Sequence, residues 1–394
     1  MSITFPPHAD FYGIYDDLLP AEYEIVMTWR RFLETEVQPI INDYWDRGEF
    51  PMQLIPKMGA LIADTIGKGQ PHLPKLSPLG WGILALELGR GDPSVSTFFG
   101  VHVRLCMTSI YRFGSDAQKE RWLPAMMRME KIGSWALTEP LVGSATAKGM
   151  MTTARQDGDY WVLNGEKKWS GNASFADVNV IWAKREDTGA VNGFLVERNM
   201  PGYEVTPLLG KIAKRAVNNV VISLKECVVP ESNRLPNCHS FRDVAGQIDD
   251  GRAGVAWEAV GIAMGAYEAA LRYSLQREQF GKPIAAFQLT QAKLANMLGN
   301  VTAMQGMMLQ LARYTAKHGR ATPERASLAK MFCTEKMRET VAIARALLGG
   351  NGILLEHNVA RLFADAEAVY SYEGSHDMQM LIVGRAITGH SAFI

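Results

Sequence analysis

The chain has 394 residues, 47% of them hydrophobic and 21% charged, with 41 basic side chains against 41 acidic ones. This is a folding composition, long enough for two or three units with real cores, and it excludes disordered, collagen-like and disulfide-scaffold classes. The even charge excludes a broad electrostatic footprint for nucleic acid or an anionic membrane surface, leaving only local basic sites.

From Pro20 to about Met129 the pattern is helical. Glu22, Tyr23, Val26, Trp29, Phe32 and Leu33 recur at three-and-four spacing, and Pro39, Pro51 and Pro56 punctuate. A second run, Gly80 to Leu88, breaks at Gly89-Arg90-Gly91-Asp92-Pro93, and Asp116 opens a short helix through Trp122 and Leu123 to Met127. From about Gly133 to Pro230 the period changes to two. Tyr160 and Val162, then Asn164-Gly165, then Lys168 and Trp169 predict a hairpin, because Asn-Gly suits a two-residue primed turn. Val178, Val180 and Trp182 alternate, as do Phe194 with Val196, Tyr203 with Val205, and Val220 with Ile222 and Leu224. Short strands between Gly and Pro predict a small sandwich or barrel.

From Gly254 the helical period returns and lengthens. Val260, Met264, Tyr267, Leu271 and Leu275 form one stripe, and Leu294, Met297, Val301, Met304, Met308 and Leu311 a second. Leu328, Phe332, Val341 and Leu348 are assigned to a third. Long helices without internal breakers predict a bundle, with many of the 20 methionines as core filling. Cys106, Cys227, Cys238 and Cys333 lie far apart with no CxxC pair, which predicts reduced thiols, no structural metal and a cytosol-like compartment. The first residues lack the basic-then-apolar order of a signal peptide, and the run from Ala259 to Tyr267 stops at Glu268, short of a membrane span. A soluble, cytoplasmic protein without membrane insertion is expected. His72, His102, His239 and His357 are scattered and read as surface or satisfied core groups.

Five segments carry chemistry. Trp135-Ala136-Leu137-Thr138-Glu139-Pro140-Leu141-Val142-Gly143-Ser144 could bring backbone N–H groups against a polar ring or phosphate, or be a linker with turn residues. Lys167-Lys168-Trp169-Ser170-Gly171-Asn172 sets a large aromatic near a residue with no side chain; it suits the cover of a flat cofactor, or a buried strand Trp before a turn. Arg277-Glu278-Gln279-Phe280-Gly281-Lys282-Pro283, with Phe287-Gln288, is helix-stop chemistry whose Arg could also pair with a phosphate. Leu347-Leu348-Gly349-Gly350-Asn351-Gly352 permits close backbone approach but is no GxGxxG after a strand. In Tyr370-Ser371-Tyr372-Glu373-Gly374-Ser375-His376-Asp377, an aromatic setting would raise the basicity of Glu373, and the other reading is a helix-start acid with Ser375 and Asp377 as caps.

In order and spacing the five segments resemble the acyl-CoA dehydrogenase family of FAD enzymes, acyl-CoA oxidases included, from Asp16-Asp17-Leu18-Leu19 to Gly384-Arg385-Ala386-Ile387-Thr388-Gly389. The chain resembles most the glutaryl-CoA dehydrogenase group and the plant short-chain acyl-CoA oxidases, and it shares with the latter Gly171-Asn172-Ala173-Ser174-Phe175-Ala176-Asp177 in near form and Gly350-Asn351-Gly352-Ile353-Leu354. The resemblance implies a mainly α fold with a central β-barrel: a helical domain over residues 1–132, a middle β-barrel over 133–245, a four-helix bundle over 246–394, and a homotetramer.

Carried over by residue, the resemblance makes Glu373 the catalytic base. It places Trp135, Leu137, Thr138, Gly143, Ser144, Trp169, Gly171, Ser375 and Asp377 at the FAD. Arg277, Gln288 and the Gly349-Gly350 turn would reach the FAD of a neighbouring subunit, and Gln279, Phe280 and Leu347 are further cofactor contacts. Asp249 and Arg252 would hold the CoA portion with Ser144, and Ser96, Tyr372 and Gly374 would line the substrate site. The implied reaction is α,β-dehydrogenation of a short- or medium-chain acyl-CoA to the trans-2-enoyl-CoA, with electrons passed to an electron-transfer flavoprotein. The alternatives are an oxidase that reduces O2 to H2O2 and, less favoured, a glutaryl-CoA dehydrogenase. Three departures bear on this. Gly171 stands where many members have Thr, as it does in the plant oxidases; Ser96 stands where the glutaryl group has its carboxylate-binding Arg; and Ala145 stands where an Asp is common. Arg104, eight positions after Ser96, is read as structural, so a dicarboxylate substrate is disfavoured.

Overall fold

Helix-start chemistry sets the first block of the computed structural model, which describes residues 9–62, 76–144 and 146–392. His72 and Ala145 lie outside the described residues. The helices are α1 (Pro20–Phe32), α2 (Gln38–Arg47), α3 (Leu54–Leu61), α4 (Pro78–Gly91), α5 (Pro93–Phe99), α6 (Thr108–Phe113) and α7 (Asp116–Met127). Ser77, Asp92 and Ser115 cap α4, α5 and α7 by accepting the N–H of Gly80, Val95 and Gln118, and Pro78 and Pro93 occupy first positions where no N–H is missed. The Gly-rich stretch expected to end α4 lies partly inside it. Gly89 and Gly91 belong to the helix, because a Cβ at either would run into the backbone of Glu258 or the side chain of Leu33. Between α5 and α6 the chain widens into a π turn, Gly100–Met107.

The middle block is a curled seven-stranded sheet: β1 (Gly133–Ala136), then a short α8 (Thr146–Gly149), β2 (Thr153–Asp157), β3 (Tyr160–Ser170), β4 (Val178–Arg185), β5 (Val191–Glu197), β6 (Tyr203–Pro207) and β7 (Val220–Pro230). β4 pairs with β5 on one edge and with β1 and then β2, both parallel, on the other. β3 and β7 form a long antiparallel pair, and β6 closes onto β7. Trp161, Ile181, Phe194, Val196, Tyr203 and Ile222 share one core, so the sheet wraps around its own side chains as a small barrel does. The hairpin expected at Asn164-Gly165 is not there. The turn is Gly158-Asp159, between Asp157 and Tyr160, and β3 runs straight through Asn164 with a bulge at Gly165. Gly165 sits at φ 142, pressed on Thr152, which is the close approach that an isolated strand glycine signals.

The last block holds α9 (Phe241–Gln276), a two-stranded ribbon of β8 (Glu278–Gln279) and β9 (Lys282–Pro283), then α10 (Gln288–His318), α11 (Pro323–Leu347), α12 (Val359–Ser371) and α13 (His376–Thr388). α9 begins thirteen residues before the expected Gly254, with Ser240 and Asp243 in a reciprocal capping box. The third stripe needs correction as well. Val341 and Leu348 are buried as expected, but Leu328 is exposed and Phe332 half-buried, and α11 buries Ala326, Ala329, Cys333, Met337 and Ala344 beside Val341. Small side chains let α9 and α11 approach closely, and a stripe of large residues is the wrong signal for that interface. α4 and α9 also approach closely, since a Cβ on Gly261 would overlap the Leu86 carbonyl. Glu268 lies in a largely buried charge cluster, with Arg90 bridging Glu268 at 3.0 Å, Glu87 at 2.7 Å and Glu34 at 2.7 Å. All four cysteines are buried free thiols. His102 is a satisfied core group, accepting from Gly133 N–H at Nδ1 and facing Met126 O through Nε2.

Candidate active site

A cavity of about 1220 Å³ opens where α4, α5 and the π turn meet the sheet, α9 and the loop between α12 and α13. Glu373 stands on that loop. It adopts φ 51 and Gly374 φ 88, two left-handed residues in succession, a conformation that costs energy at Glu and needs outside support. Gln379 Nε2 supplies it, donating to Glu373 O at 3.2 Å and Gly374 O at 2.9 Å. Lys330, buried on α11, donates its Nζ to Gly374 O at 2.7 Å. Ser375 caps α13, as the helix-start reading expects. The carboxylate is thereby pressed onto α9 at Gly251, with Oε2 buried and unpartnered. Burial raises its pKa, against the opposing charges of Arg104, Lys330 and Arg252. A desolvated carboxylate with a raised pKa and an unpartnered oxygen, on a residue that lines a cavity, is equipped to take a proton.

The sign of the Lys330 contribution makes a test. Removing its charge as Lys330→Met lets the Glu373 pKa climb further, so the acid limb of the pH–rate profile should move to higher pH. Lys330→Arg should leave the limb in place; an unmoved limb in both variants would remove Lys330 from this role.

The opposite wall comes from the sheet. Trp169 leaves β3 at φ 72 with its side chain half exposed, and Asn219 Nδ2 holds its carbonyl at 2.8 Å. Lys211 Nζ in turn donates to Asn219 Oδ1 at 2.6 Å. Ser134 Oγ donates to Gly171 O at 2.7 Å, and Lys168 N–H to Thr138 O at 2.8 Å, so the first two segments are tied together. Glu139 is buried, accepting Lys167 Nζ at 2.8 Å, Met151 N–H at 2.7 Å and Thr152 N–H at 2.9 Å. The stretch from Trp135 to Ser144 is therefore anchored and not a loose linker. Trp135, Leu137, Thr138, Gly143 and Ser144 all line the cavity, beside Trp169, Gly171 and the unpartnered hydroxyl of Ser170. An exposed indole beside a glycine and an orphaned hydroxyl is a cradle for a flat polar ring. Further along α9, Asp249 and Arg252 pair at 2.5 Å on the cavity wall, with Arg252 Nε unpartnered.

Family models described as acyl-CoA dehydrogenase N-terminal, middle and C-terminal domains match residues 20–130, 134–227 and 241–388. The chain belongs to the acyl-CoA dehydrogenase family. A probable acyl-CoA dehydrogenase of Bacillus subtilis is 32% identical over 366 residues, covering 90% of this chain and 95% of the relative. The mitochondrial short-chain specific acyl-CoA dehydrogenase of Rattus norvegicus is 31% identical over 375 residues, 93% of this chain and 90% of that protein. Among solved structures, a glutaryl-CoA dehydrogenase from Mycobacterium smegmatis in complex with FADH2 superposes with a TM-score of 0.93 at 33% identity, covering 99% of this chain and 100% of the other.

In this acyl-CoA dehydrogenase fold, Ser96, Tyr372, Gly374 and Ser375 also line the cavity. Other expected residues do not. Arg277 ends α9 just before the ribbon that carries Gln279 and Phe280, with Phe280 93% exposed at its tip, and Gln288 is exposed at the start of α10. Leu347, Gly349 and Gly350 lie at the C-terminal end of α11 and the turn after it, and Asp377 is exposed on the first turn of α13. The fourth segment does reach the end of α9 that leads into the third, since Asn351 Nδ2 donates to Tyr273 OH at 2.9 Å. Arg104 needs correction. Read as structural from sequence, it lines the cavity, its guanidinium lying on Gly254 with one long bond, 3.4 Å, to Asp250 O. A lone charge inside the apolar run from Phe98 to Cys106 was the available signal. Lys330 had a comparable one, a charge on the buried face of α11. Among the described residues no helix is long and apolar enough to cross a membrane.

Proposed function

We propose that the chain is an FAD-dependent acyl-CoA dehydrogenase of short- or medium-chain substrates, forming the trans-2-enoyl-CoA and passing electrons to an electron-transfer flavoprotein. The observation that carries this is the desolvated Glu373 carboxylate, held by a left-handed backbone across the cavity from Trp169 and Gly171. Glu373 takes the α-proton of the thioester, and burial keeps it basic enough to do so. The Glu373 N–H, fixed by the same turn, is the donor available to a thioester oxygen as charge develops there. FAD, when bound, supplies the hydride acceptor for the β-carbon.

The residues present fit the cofactor. Trp135, Leu137, Thr138, Ser144, Trp169, Gly171 and Ser375 would hold it from within the chain, with Gly143 allowing close approach. Asp377 stays with Ser375 in the flavin-contact stretch, and Arg277, Gln279, Phe280, Gln288, Leu347, Gly349 and Gly350 are assigned to the FAD of a neighbouring subunit in a homotetramer. A nearly bare phenylalanine on a ribbon tip supports that assignment. Asp249 and Arg252, with Ser144, are assigned to CoA, and a cytoplasmic location is proposed. A second reading, oxidase chemistry, is favoured by Gly171 alone: with no side chain there, the nearest groups to the vacant Cβ position are Val101, Val217 and Asn219.

Anaerobic titration of the flavin-loaded protein with butyryl-, hexanoyl-, octanoyl- and glutaryl-CoA tests the proposal. Bleaching of flavin absorbance that persists after air is admitted is the expected result. Rapid reoxidation with stoichiometric peroxide selects the oxidase, and no bleaching with any substrate overturns the dehydrogenase reading.

A further inference from the structure

Beyond Glu373 the cavity continues along α9. Gly251, Val255 and Glu258 share one face of that helix and all line the cavity. The Asp249–Arg252 pair assigned to CoA lies on the N-terminal side, so the acyl group runs toward Glu258. Trp81, Leu84, Leu88 and Phe99 give the cavity hydrocarbon for an alkyl tail, but the part of the wall at Glu258 is charged.

Lys214 Nζ donates to Glu258 Oε1 at 2.7 Å, to Tyr372 OH at 2.8 Å and to Thr97 Oγ1 at 2.6 Å. Tyr372 OH donates to Glu258 Oε2 at 2.5 Å. Lys214 and Glu258 are both buried, and Lys214 sits at φ 45 with its N–H held by Asp365 Oδ1 at 2.5 Å. The backbone is thus forced to deliver an ammonium to this spot. Two kinds of capacity are left over. A carboxylate offers about four acceptor sites, so Glu258 can accept more than the bonds from Lys214 and Tyr372. Ser96, next to Thr97 and also on the cavity wall, has a hydroxyl with no hydrogen bond among the described residues. Laying a plain alkyl chain over this cluster would strip its water and return no hydrogen bond.

We propose that the preferred acyl group carries a hydroxyl at the γ-carbon or beyond, donating to Glu258 and accepting from Ser96. The α- and β-carbons are excluded because they take part in the dehydrogenation. A terminal carboxylate would meet the charge of Glu258 as well as that of Arg104, whereas a hydroxyl needs only the acceptor on Glu258 and the donor on Ser96. The inference rests on the acyl-CoA dehydrogenase reading and narrows its substrate class.

The test compares kcat/KM of the FAD-loaded protein for 4-hydroxybutyryl-CoA against butyryl-CoA, and for 6-hydroxyhexanoyl-CoA against hexanoyl-CoA, with glutaryl-CoA as the acidic arm. A site built to hydrogen-bond a hydroxyl rejects the analogue that lacks it, so a preference of at least about tenfold is expected for one hydroxylated member of a pair. The double variant Lys214→Met, Glu258→Leu should bring that ratio toward one while alkanoyl-CoA still bleaches the flavin. Should that variant not fold, the wild-type ratios decide alone. Alkanoyl-CoA equal or superior in both pairs, or glutaryl-CoA superior to all, overturns the proposal and leaves the dehydrogenase reading standing. No bleaching by any of the five removes both.

Discussion

Replacement of Glu373 by Gln is expected to slow flavin reduction by acyl-CoA about 10⁴-fold, at the upper end of what a positioned general base contributes. Gln keeps the length of the side chain and its place against Gly251, and cannot take a proton. The flavin should remain bound with an oxidised spectrum, which separates lost chemistry from lost folding. Stability should move the other way. A carboxyl whose folded pKa lies above its unfolded value stabilises the fold below the unfolded pKa, and that contribution is lost as pH rises through the folded pKa. Above its folded pKa the ionised Glu373 is therefore a burden on the fold, and there Glu373→Gln should melt no lower than the parent. Reduction at an unchanged rate in anaerobic stopped-flow would take the base assignment away.

Gly251→Ala should separate activity from stability still more sharply. A Cβ at Gly251 would overlap Glu373 Oε2, and what it meets is the end of a side chain, which can turn aside. The helix tolerates the change, since Ala is worth about 1 kcal/mol over Gly in a helix interior. The carboxylate must then leave its position, and a misplacement of about 1 Å can cost on the order of 10²-fold. Flavin reduction should fall by about that factor with the melting temperature unchanged or higher. Gly246→Ala is the control on the same helix, because its vacant Cβ position lies 3.9 Å from the nearest group, Arg320 Nη1. Equal rates in the parent and Gly251→Ala would mean that the carboxylate reaches its working position by another route.

Much of the fold was legible because it is written in local periods. The three-and-four spacing around Val26 and Trp29 and the alternation at Val178, Val180 and Trp182 both mark elements that form where expected. The errors have physical causes. Asn164-Gly165 carries hairpin chemistry, yet Asn164 Oδ1 accepts the N–H of Glu226 across the sheet, and pairing with β7 keeps the strand extended. Leu328 fits a helical stripe by size, but the α9–α11 interface selects small residues. The candidate site was partly legible in the same way. Glu373 and Trp169 announce themselves by residue type, whereas Lys330 and Gln379 matter only because they reach the carbonyls of one turn.

By itself the sequence determined the order of blocks, the five segments and, through them, the family and the kind of chemistry. Each of those is a property of neighbouring residues. Only the tertiary structure decided that Glu373 is desolvated and lies against Gly251, that Arg104 faces the cavity, and that Phe280 faces out. The reason is that burial and electrostatic shift are sums over everything nearby in space. For Glu373 that neighbourhood includes Arg104 on the π turn, Gly251 and Arg252 on α9, and Lys330 on α11, groups that only folding brings together.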